Sequence, residues 1–355
     1  MKYLDTLHGR IALPAFMPDA TRGCVRTLDS ADVEACGIEM MMVNAMHLAA
    51  DPGASLIKSC GGIHQFMDWR RPIASDSGGF QAFSLATGTG KLGTISSDGI
   101  TYRARKGGEK KHLTPEKCIE KQVQLGTDIL FCLDHCTHPN MDAAAQRESV
   151  TNTLAWARRC KEEFERRLPS RPRPLLFGVV QGGNDARLRE ECFNGLAEIG
   201  FDGYGFGGWP VGNDGALIEA VFQLADLTGR GAPLHGLGIG KPESVVRAAG
   251  AGYTLFDCVL PTRDARHERL YCFTQMPTKG DLEGDFYETI SIGNECFARD
   301  SRAIESTCDC LCCTRYSRAY LHHLFAQKET AGQRLATIHN LRFYARLMDA
   351  LREQP

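Results

Sequence analysis

The sequence predicts an α/β protein built as a (β/α)8 TIM barrel, with a small cysteine-rich subdomain near the C-terminus. Three observations lead to this prediction. Eight short apolar segments rich in β-forming residues alternate with helical segments, and together they occupy about 260 residues, the usual size of such a barrel. A dense group of cysteines follows the last of them.

The predicted strands are recognised by continuous apolar runs such as MMMV, LLFGVV and TLFDCVL, which are typical of parallel strands covered on both faces. They are Ala12 to Met17, Met40 to Asn44, Pro72 to Asp76, Asp128 to Asp134, Leu175 to Gln181, Tyr204 to Gly208, Leu234 to Ile239 and Tyr253 to Leu260. An open, doubly wound sheet is the alternative. It is disfavoured because no GxGxxG motif occurs at a first strand-to-helix turn.

The helices between the strands carry start and stop signals. Thr114 is a predicted N-cap, Pro115 and Glu116 follow in the first turn, and Gly126 ends this helix. The segment 141–168 predicts one long amphipathic helix or a pair of helices. The pattern changes after the eighth strand. We therefore predict a barrel over residues 1–297, with a subdomain and C-terminal helices packed on it over residues 298–355.

The composition is that of an ordinary globular protein. The 355 residues are 43% hydrophobic and 24% charged, with a net charge of −2, which excludes disorder and coiled coil as the main architecture. No apolar run reaches the roughly 18 to 20 residues of a membrane helix, and the N-terminus lacks an apolar signal segment. We therefore expect a cytoplasmic protein without membrane contact, whose 15 cysteines are reduced.

Cys308, Cys310 and Cys313 form the motif C-x-C-x2-C in the C-terminal subdomain. Three thiolates and one imidazole, for which His339 is the candidate, make a closed tetrahedral zinc site. Because no ligand position stays open for water, such a site is structural, and we predict one zinc ion per chain. The alternative is a set of reduced core cysteines, and the adjacent thiol of Cys312 leaves the register of the motif open.

Polar residues end most of the predicted strands. In a barrel the carboxyl ends of the strands meet at one rim, where catalytic residues gather. A single aspartate there is often the N-cap of the next helix, but three acids with an asparagine and a glutamine exceed what capping requires. Asp257 lies among apolar residues and needs partners to offset its desolvation. The residues at this rim are Asn44, Asp76, Asp134, Gln181, Gly207, Gly208 and Asp257.

The segment SDSGGFQ follows the third strand and contains Ser77 and Phe80. One interpretation is a tight turn in which Asp76 or Ser77 caps the next helix. The other is a ligand site, where Gly78 and Gly79 let a ligand approach the backbone and Phe80 offers a ring face. Such turns, repeated in VQGG and GFGGWPVG, can bind a flat heterocycle beside carboxylate and amide groups. Guanine has the matching donors and acceptors.

These motifs together resemble the tRNA-guanine transglycosylase (queuine tRNA-ribosyltransferase) family, and its bacterial members most closely. The resemblance extends over nearly the whole chain. Its motifs include VVQGG and HNLRFY, and the most specific are DSGGFQ, FDCVLPTR and the zinc-ligand set with its C-x-C-x2-C cysteines, in this order. It implies a barrel with a zinc subdomain. It also implies a pentosyltransferase that exchanges the wobble guanine of GUN-anticodon tRNAs for a free 7-deazaguanine base, in queuosine biosynthesis.

By this resemblance, Asp257 matches the nucleophile that attacks the ribose, and Asp76 matches the general acid/base. Two displacements through an oxocarbenium-like transition state agree with one covalent and one acid/base carboxylate. The residues that match the substrate-binding groups of the family are Asn44, Ser77, Phe80, Asp134, Gln181, Gly208 and Leu237. A non-catalytic partner subunit is the main alternative, disfavoured by the presence of both aspartates. A DNA-guanine exchange enzyme and a zinc hydrolase are weaker alternatives.

Arg263 and Arg266 directly follow the eighth strand and are predicted to contact tRNA phosphate. A second basic group can equally be a solvated surface; it consists of Arg103, Arg105, Lys106, Lys110 and Lys111. The resemblance implies a homodimer. Tyr316, Tyr320 and His323 are predicted on one helix face in the region that would form it.

The identity of the incoming base is open. Val211 favours 7-aminomethyl-7-deazaguanine over queuine, because a valine crowds the larger substituent. Trp209, Pro210 and Asn213 depart from the residues usual in the family, and Pro210 removes a backbone N–H. The uncharged 7-cyano base and queuine therefore remain alternatives.

Overall fold

The computed structural model describes residues 1–87, 92–103, 106–138, 141–278, 282 and 284–353. In chain order its strands are β1 (Tyr3–Thr6), β2 (Gly9–Ala12), β3 (Ala15–Pro18), β4 (Met41–Asn44), β5 (Ile73–Asp76), β6 (Gly93–Ser96), β7 (Gly99–Arg103), β8 (Lys110–Leu113), β9 (Ile129–Phe131), β10 (Leu175–Val180), β11 (Gly203–Phe206), β12 (Leu234–Leu237), β13 (Leu255–Cys258), β14 (Arg269–Phe273) and β15 (Tyr287–Ser291).

The helices, in the same order, are α1 (Ser30–Ala35), α2 (Ala45–Ala50), α3 (Ala54–Ser59), α4 (Ile63–Met67), α5 (Gly79–Thr87), α6 (Pro115–Leu125), α7 (Ala143–Arg167), α8 (Ala186–Ile199), α9 (Glu219–Thr228), α10 (Pro242–Ala251), α11 (Leu260–Arg266), α12 (Leu311–Arg315), α13 (Arg318–Ala326) and α14 (Thr330–Arg352). A 3-10 turn spans Glu295–Phe297. Among the residues described, no helix combines the length and apolar character that crossing a bilayer requires.

The predicted barrel is confirmed. Eight parallel strands form one sheet in the order β3-β13-β12-β11-β10-β9-β5-β4. The two outer strands of this order also meet, because Asp19 bridges Met42 and the Ala20 N–H donates to the Met42 carbonyl over 2.7 Å. Each of the eight predicted strands is present but shorter than expected. The last one ends at Cys258, because Leu260 already begins helix α11.

The local signals read from the sequence act as expected. The Thr114 hydroxyl accepts a hydrogen bond from the Lys117 N–H at the start of α6, and Gly126 ends the helix with a φ of 78°. The uncertain segment 141–168 forms the single helix α7. Over the described residues, three small antiparallel sheets lie outside the barrel: β1-β2, β6-β7-β8 and β14-β15.

Helix α14 joins the C-terminal region to the first barrel strand. Phe16 of β3 packs against the Tyr344 ring at 4.4 Å, and both belong to one apolar core. Further along α14, the Arg352 side chain donates to the carbonyl oxygens of Ala12 and Pro14, each over 3.0 Å. The helix therefore packs as part of the barrel wall. The division into units at residues 297 and 298 stays a prediction.

Candidate active site

A pocket of about 310 Å³ opens at the carboxyl ends of the barrel strands. It has the volume of a small-ligand site. Nine residues were predicted to be catalytic or to bind the substrate. Seven of them line the pocket: Asp76, Ser77, Phe80, Asp134, Gly208, Leu237 and Asp257. Asn44 and Gln181 lie behind this lining, where each bonds to one of the lining aspartates. The structure thus brings together side chains that lie on or shortly after six strands: β4, β5, β9, β10, β12 and β13.

Asp76 ends β5 and is held by two donors. The Gly78 N–H donates to its Oδ1 over 2.9 Å, and the Asn44 side chain donates to its Oδ2 over 2.8 Å. Burial raises the pKa of Asp76 to about 7, and the nearby Asp257 carboxylate adds to this, while the two hydrogen bonds oppose it. A carboxyl group with this pKa exchanges protons near neutral pH.

Asp134 and Gln181 form a buried pair. The Gln181 side-chain N–H donates to Asp134 Oδ2 over 2.6 Å, and the two side chains come from the ends of neighbouring strands. Burial raises the pKa of Asp134 to about 6, although the bond from Gln181 lowers it. Within the described residues, Gln181 Oε1 is buried without a hydrogen-bond partner. The pair therefore has acceptor capacity left for a ligand.

The turn after β11 approaches this pair closely. A side chain at Gly207 would lie 2.5 Å from Gln181 Nε2, so only glycine fits, and Gly208 has a φ of 92°. Arg189, buried to 99%, supports the turn from below by donating to the carbonyl oxygens of Val180 and Gly207, each over 3.1 Å. Arg189 was not predicted from the sequence. Among the described residues no carboxylate pairs with its buried charge, and burial lowers its pKa to about 10.

Asp257 lies on β13 with its side chain 22% exposed. His235 Nε2 donates to Asp257 Oδ1 over 2.9 Å, and the Gly238 N–H donates to the same oxygen over 3.2 Å. His235 was not predicted from the sequence either. Its position two residues before Leu237 was an available signal, because side chains two apart point to the same face of a strand.

Aromatic rings line the mouth of the pocket. Phe80 is 50% exposed, and its ring centroid lies 5.4 Å from that of Trp209, which in turn lies 5.1 Å from the His138 ring. Val211 does not line this pocket; it is 38% exposed and bridges Leu217. Trp209, which lines the pocket, and not Val211, is therefore the residue that can crowd a large substituent on the base.

The four residues predicted to bind a metal lie together. The sulfur atoms of Cys308, Cys310 and Cys313 and a nitrogen of His339 all lie within 4.8 Å of one another, and all four residues are buried. His339 Nε2 lies 2.7 Å from the Tyr271 carbonyl oxygen, which can only accept a hydrogen bond, so Nε2 carries the hydrogen. Its bare Nδ1 faces the thiols, 3.2 Å from Cys313 Sγ.

Other donors nearby are engaged elsewhere. Glu305, which lies close to His339 and Cys272, forms an ion pair with Arg346 and accepts a hydrogen bond from the Phe273 N–H. Cys312 is buried but lies outside the group of four. The three thiols and the oriented imidazole therefore fit a tetrahedral metal ion of zinc type.

Comparison with known proteins decides the family. A family model described as queuine tRNA-ribosyltransferase matches residues 2–354. The chain belongs to the queuine tRNA-ribosyltransferase family. The predicted class of enzyme, a pentosyltransferase, is confirmed at this level.

Several curated relatives carry the name queuine tRNA-ribosyltransferase. The protein from Syntrophobacter fumaroxidans is 39% identical over 351 residues, covering 99% of this chain and 88% of the relative. The protein from Pseudoalteromonas atlantica is 41% identical over 350 residues, covering 97% of this chain and 88% of the relative. The protein from Herpetosiphon aurantiacus is 40% identical over 350 residues, covering 98% of this chain and 84% of the relative.

Arg263 and Arg266, the arginines predicted to contact tRNA, lie on helix α11, directly after β13. Arg263 is exposed, whereas Arg266 is partly buried, with its Nη1 lacking a hydrogen-bond partner among the described residues. Burial and the neighbouring charge of Arg26 lower the pKa of Arg266. In the second basic group, Arg103 donates to the Gly108 carbonyl, and Arg105 lies outside the described residues.

The predicted dimer face differs from a single helix face. Tyr320 and His323 lie on α13 and are exposed, but Tyr316 caps the end of α12. The two tyrosine rings nevertheless stack, with centroids 5.2 Å apart. The stacked pair thus bridges the break between the two helices.

Proposed function

We propose that this protein exchanges the wobble guanine of GUN-anticodon tRNAs for a 7-deazaguanine base, as a step of queuosine biosynthesis. The observation that carries the proposal is a pair of carboxyl groups, Asp76 and Asp257, lining one base-sized pocket in different environments. The pKa of Asp76 is raised to about 7, and Asp257 is oriented by two donors on a single oxygen. Such a pair separates an acid/base role from a nucleophilic role.

The reaction proceeds as two displacements at the ribose anomeric carbon. In the first, an Asp257 oxygen attacks that carbon as its bond to guanine breaks, and protonated Asp76 gives its proton to the departing base. In the second, Asp76 takes a proton from a ring nitrogen of the incoming base. That nitrogen attacks the same carbon, and the ester bond to Asp257 breaks. The Asp76 pKa of about 7 makes both proton transfers accessible near neutral pH.

Asp134, Gln181 and the Gly208 backbone read the base. The Asp134 carboxylate accepts from the N–H groups on the pairing edge of guanine, which a 7-deazaguanine shares. Phe80 and Leu237 line the pocket and enclose the ring. The target nucleotide must be turned out of the anticodon stack, and the exposed Phe80 ring beside Trp209 offers a stacking surface for it.

We propose 7-aminomethyl-7-deazaguanine as the incoming base. Trp209 and Pro210 line the pocket, and the carbonyl between them can accept from an ammonium group, while proline has no N–H to offer a carbonyl or nitrile. Competition of the aminomethyl base, the 7-cyano base and queuine against labelled guanine tests this choice. Preference for the cyano base or queuine would overturn it.

We propose a structural zinc ion at Cys308, Cys310, Cys313 and His339. The ion would supply only cross-linking of the subdomain, because all four positions are protein ligands. Metal analysis should find one zinc per chain, and Cys310→Ala should lower both zinc content and the melting temperature. A metal-free protein of unchanged stability would refute the site, and Cys24→Ala, at an exposed cysteine outside the group, is the control.

We also propose that Arg263 and Arg266 bind tRNA phosphate and that the protein is a cytoplasmic homodimer through Tyr316 and Tyr320. Removal of an arginine should reduce the slope of tRNA affinity against salt concentration. Light scattering at micromolar concentration tests the dimer, and a monomer there contradicts it.

Incubation with labelled guanine and tRNA tests the proposed function directly. Label should enter the tRNA and then be displaced by the 7-deazaguanine base. Asp257→Ala should abolish a denaturant-resistant adduct between protein and RNA. Binding of tRNA with neither exchange nor adduct would instead support a non-catalytic partner subunit.

A further inference from the structure

We propose that His235 is a positioning residue that fixes Asp257 so that Oδ2, and not Oδ1, attacks the ribose. This inference rests on the proposed function and assigns one atom within it. His235 lies on β12, directly beside β13, and pairs in register with Leu255, two residues before Asp257. It is fully buried, so its ring has one fixed set of neighbours.

The two oxygens of Asp257 have different surroundings. Oδ1 accepts the His235 Nε2–H over 2.9 Å and the Gly238 N–H over 3.2 Å. In the described part of the chain, no hydrogen bond reaches Oδ2. Rotation of the carboxylate would break both bonds to Oδ1. The free oxygen is therefore held as the nucleophile by the bonds that occupy the other one.

The hydrogen position on His235 follows from the other ring nitrogen. Nδ1 is buried and has no hydrogen-bond partner among the described residues. A hydrogen placed there would leave a buried donor unpaired and would take the donor away from Asp257. The neighbouring Phe131 ring, with its centroid 5.2 Å away, offers no acceptor of comparable strength. His235 therefore carries its hydrogen on Nε2, where it donates to Asp257.

The same bonds act in both displacements. In the first they hold Oδ2 in an attacking orientation, which lowers the entropy that must be lost at the transition state. In the second, Asp257 leaves the ribose and regains negative charge. The His235 and Gly238 N–H groups are then already in place to stabilise that charge on Oδ1. Loss of His235 should therefore slow chemistry more than it weakens tRNA binding.

Two matched substitutions separate this role from packing. In His235→Gln the amide nitrogen occupies the place of Nε2 and retains the donor. In His235→Asn the amide nitrogen reaches only the place of Nδ1, so the bond to Asp257 is lost while the polarity remains. His235→Leu removes both. As a control, His64→Leu replaces a histidine at the opposite end of the barrel, whose side chain is 11% exposed and which has no contact with the pocket.

The experiment measures kcat and KM for guanine exchange, the single-turnover rate of adduct formation with tRNA, and the melting temperature of each variant. We expect His235→Asn and His235→Leu to lose roughly 100-fold in kcat and in adduct rate, with KM changed less than threefold. His235→Gln should recover most of the rate. His64→Leu should lower the melting temperature without affecting kcat.

Two outcomes would overturn the inference while leaving the proposed function intact. One is an adduct rate in His235→Leu equal to that of the unsubstituted protein. The other is an equal loss in the Gln and Asn variants that tracks their melting temperatures. An unsubstituted protein that forms no adduct and exchanges no guanine overturns the proposed function, and this inference with it.

Discussion

Asp76 and Asp128 lie at opposite ends of two adjacent barrel strands, and their acidities are shifted in opposite directions. Asp76 ends β5 at the pocket, where its pKa is raised to about 7. Asp128 directly precedes β9 at the other end of the barrel, where its side chain is fully buried and its pKa is lowered. Burial by itself raises the pKa of both groups, so it does not explain the difference.

The partners of the two carboxylates explain it. Asp128 Oδ1 accepts both the backbone N–H and the Nδ1–H of His8, each over 2.9 Å, and its Oδ2 accepts the Ile73 N–H over 2.9 Å. His64 lies 3.0 Å from Oδ2, with its ring stacked on that of His8. These contacts outweigh burial. Asp76 has two donors and faces a second carboxylate, so burial prevails there.

The contrast shows how one barrel separates stability from reactivity. At the amino end a buried charge is satisfied by neighbours and joins the β1-β2 hairpin to the barrel. At the carboxyl end the buried carboxyl group of Asp76 has too few donors to stabilise its negative charge. Its pKa is therefore raised, and it keeps a proton that it can exchange. This agrees with the general division of such barrels into a stabilising face and a reactive face. Four substitution experiments test the separation.

The largest effect is expected from Asp76→Asn. Loss of the acid/base group should lower the rate of guanine exchange on the order of 1000-fold, because general acid/base catalysis contributes about 100- to 10,000-fold. The free energy of unfolding should not decrease. Exchange kinetics and denaturant unfolding of the same preparation measure both quantities, and a variant that keeps a tenth of the activity would contradict the assigned role.

Asp128→Ala should have the reverse result. Removal of the carboxylate leaves the buried Ile73 N–H and the two N–H donors of His8 without their acceptor, and it also removes the charge beside His64, at an expected cost of about 3 kcal/mol in unfolding free energy. At a temperature where the variant remains folded, kcat should be unchanged. Urea unfolding monitored by circular dichroism measures the first quantity. A stable variant with slow exchange would show that the two ends of the barrel are not separable.

The pH dependence of stability should differ between Asp76→Asn and the unsubstituted protein. The pKa of Asp76 is about 7 when folded and about 3.9 when unfolded, so the folded state holds the proton more strongly. Asp76 thus stabilises the fold below pH 4 relative to higher pH, and this contribution is lost as pH rises to 7. The variant should gain at most about 1.4 kcal/mol per pH unit over that window and level off above it. A constant difference would exclude a raised pKa.

The smallest effect is expected from His8→Ala. His8 is 38% exposed, so the loss of its ring bond to Asp128 should cost about 1 kcal/mol. A double-mutant cycle with Asp128→Ala isolates the coupling between the two side chains. A coupling near zero would assign the anchoring of the hairpin to the His8 backbone N–H alone.

The fold and the pocket lining were predictable because their signals are local. Apolar runs ended by polar residues located the eight strands and placed Asp76, Asp134 and Asp257 at one rim. The supporting residues were not predictable in this way. In the sequence Arg189 is an ordinary helix residue, and its role depends on contacts with the ends of β10 and β11 that only the folded chain forms. Likewise, His8 bonds to Asp128, which lies 120 positions away in the sequence. Val211 was misleading because its neighbours Trp209 and Pro210, and not Val211 itself, line the pocket.

The packing of α14 on β3 has a consequence for synthesis on the ribosome. Arg352 and Pro14 are 338 positions apart, and at 5 to 20 residues per second roughly 15 to 70 s separate their emergence. During that interval the first strand is present without the helix that covers it. Phe16 is then exposed to water or to other nascent chains, because Tyr344 has not yet been made. A ribosome that stalls shortly before α14 holds a chain whose first barrel strand is uncovered, and chaperones can bind the exposed apolar surface of that strand.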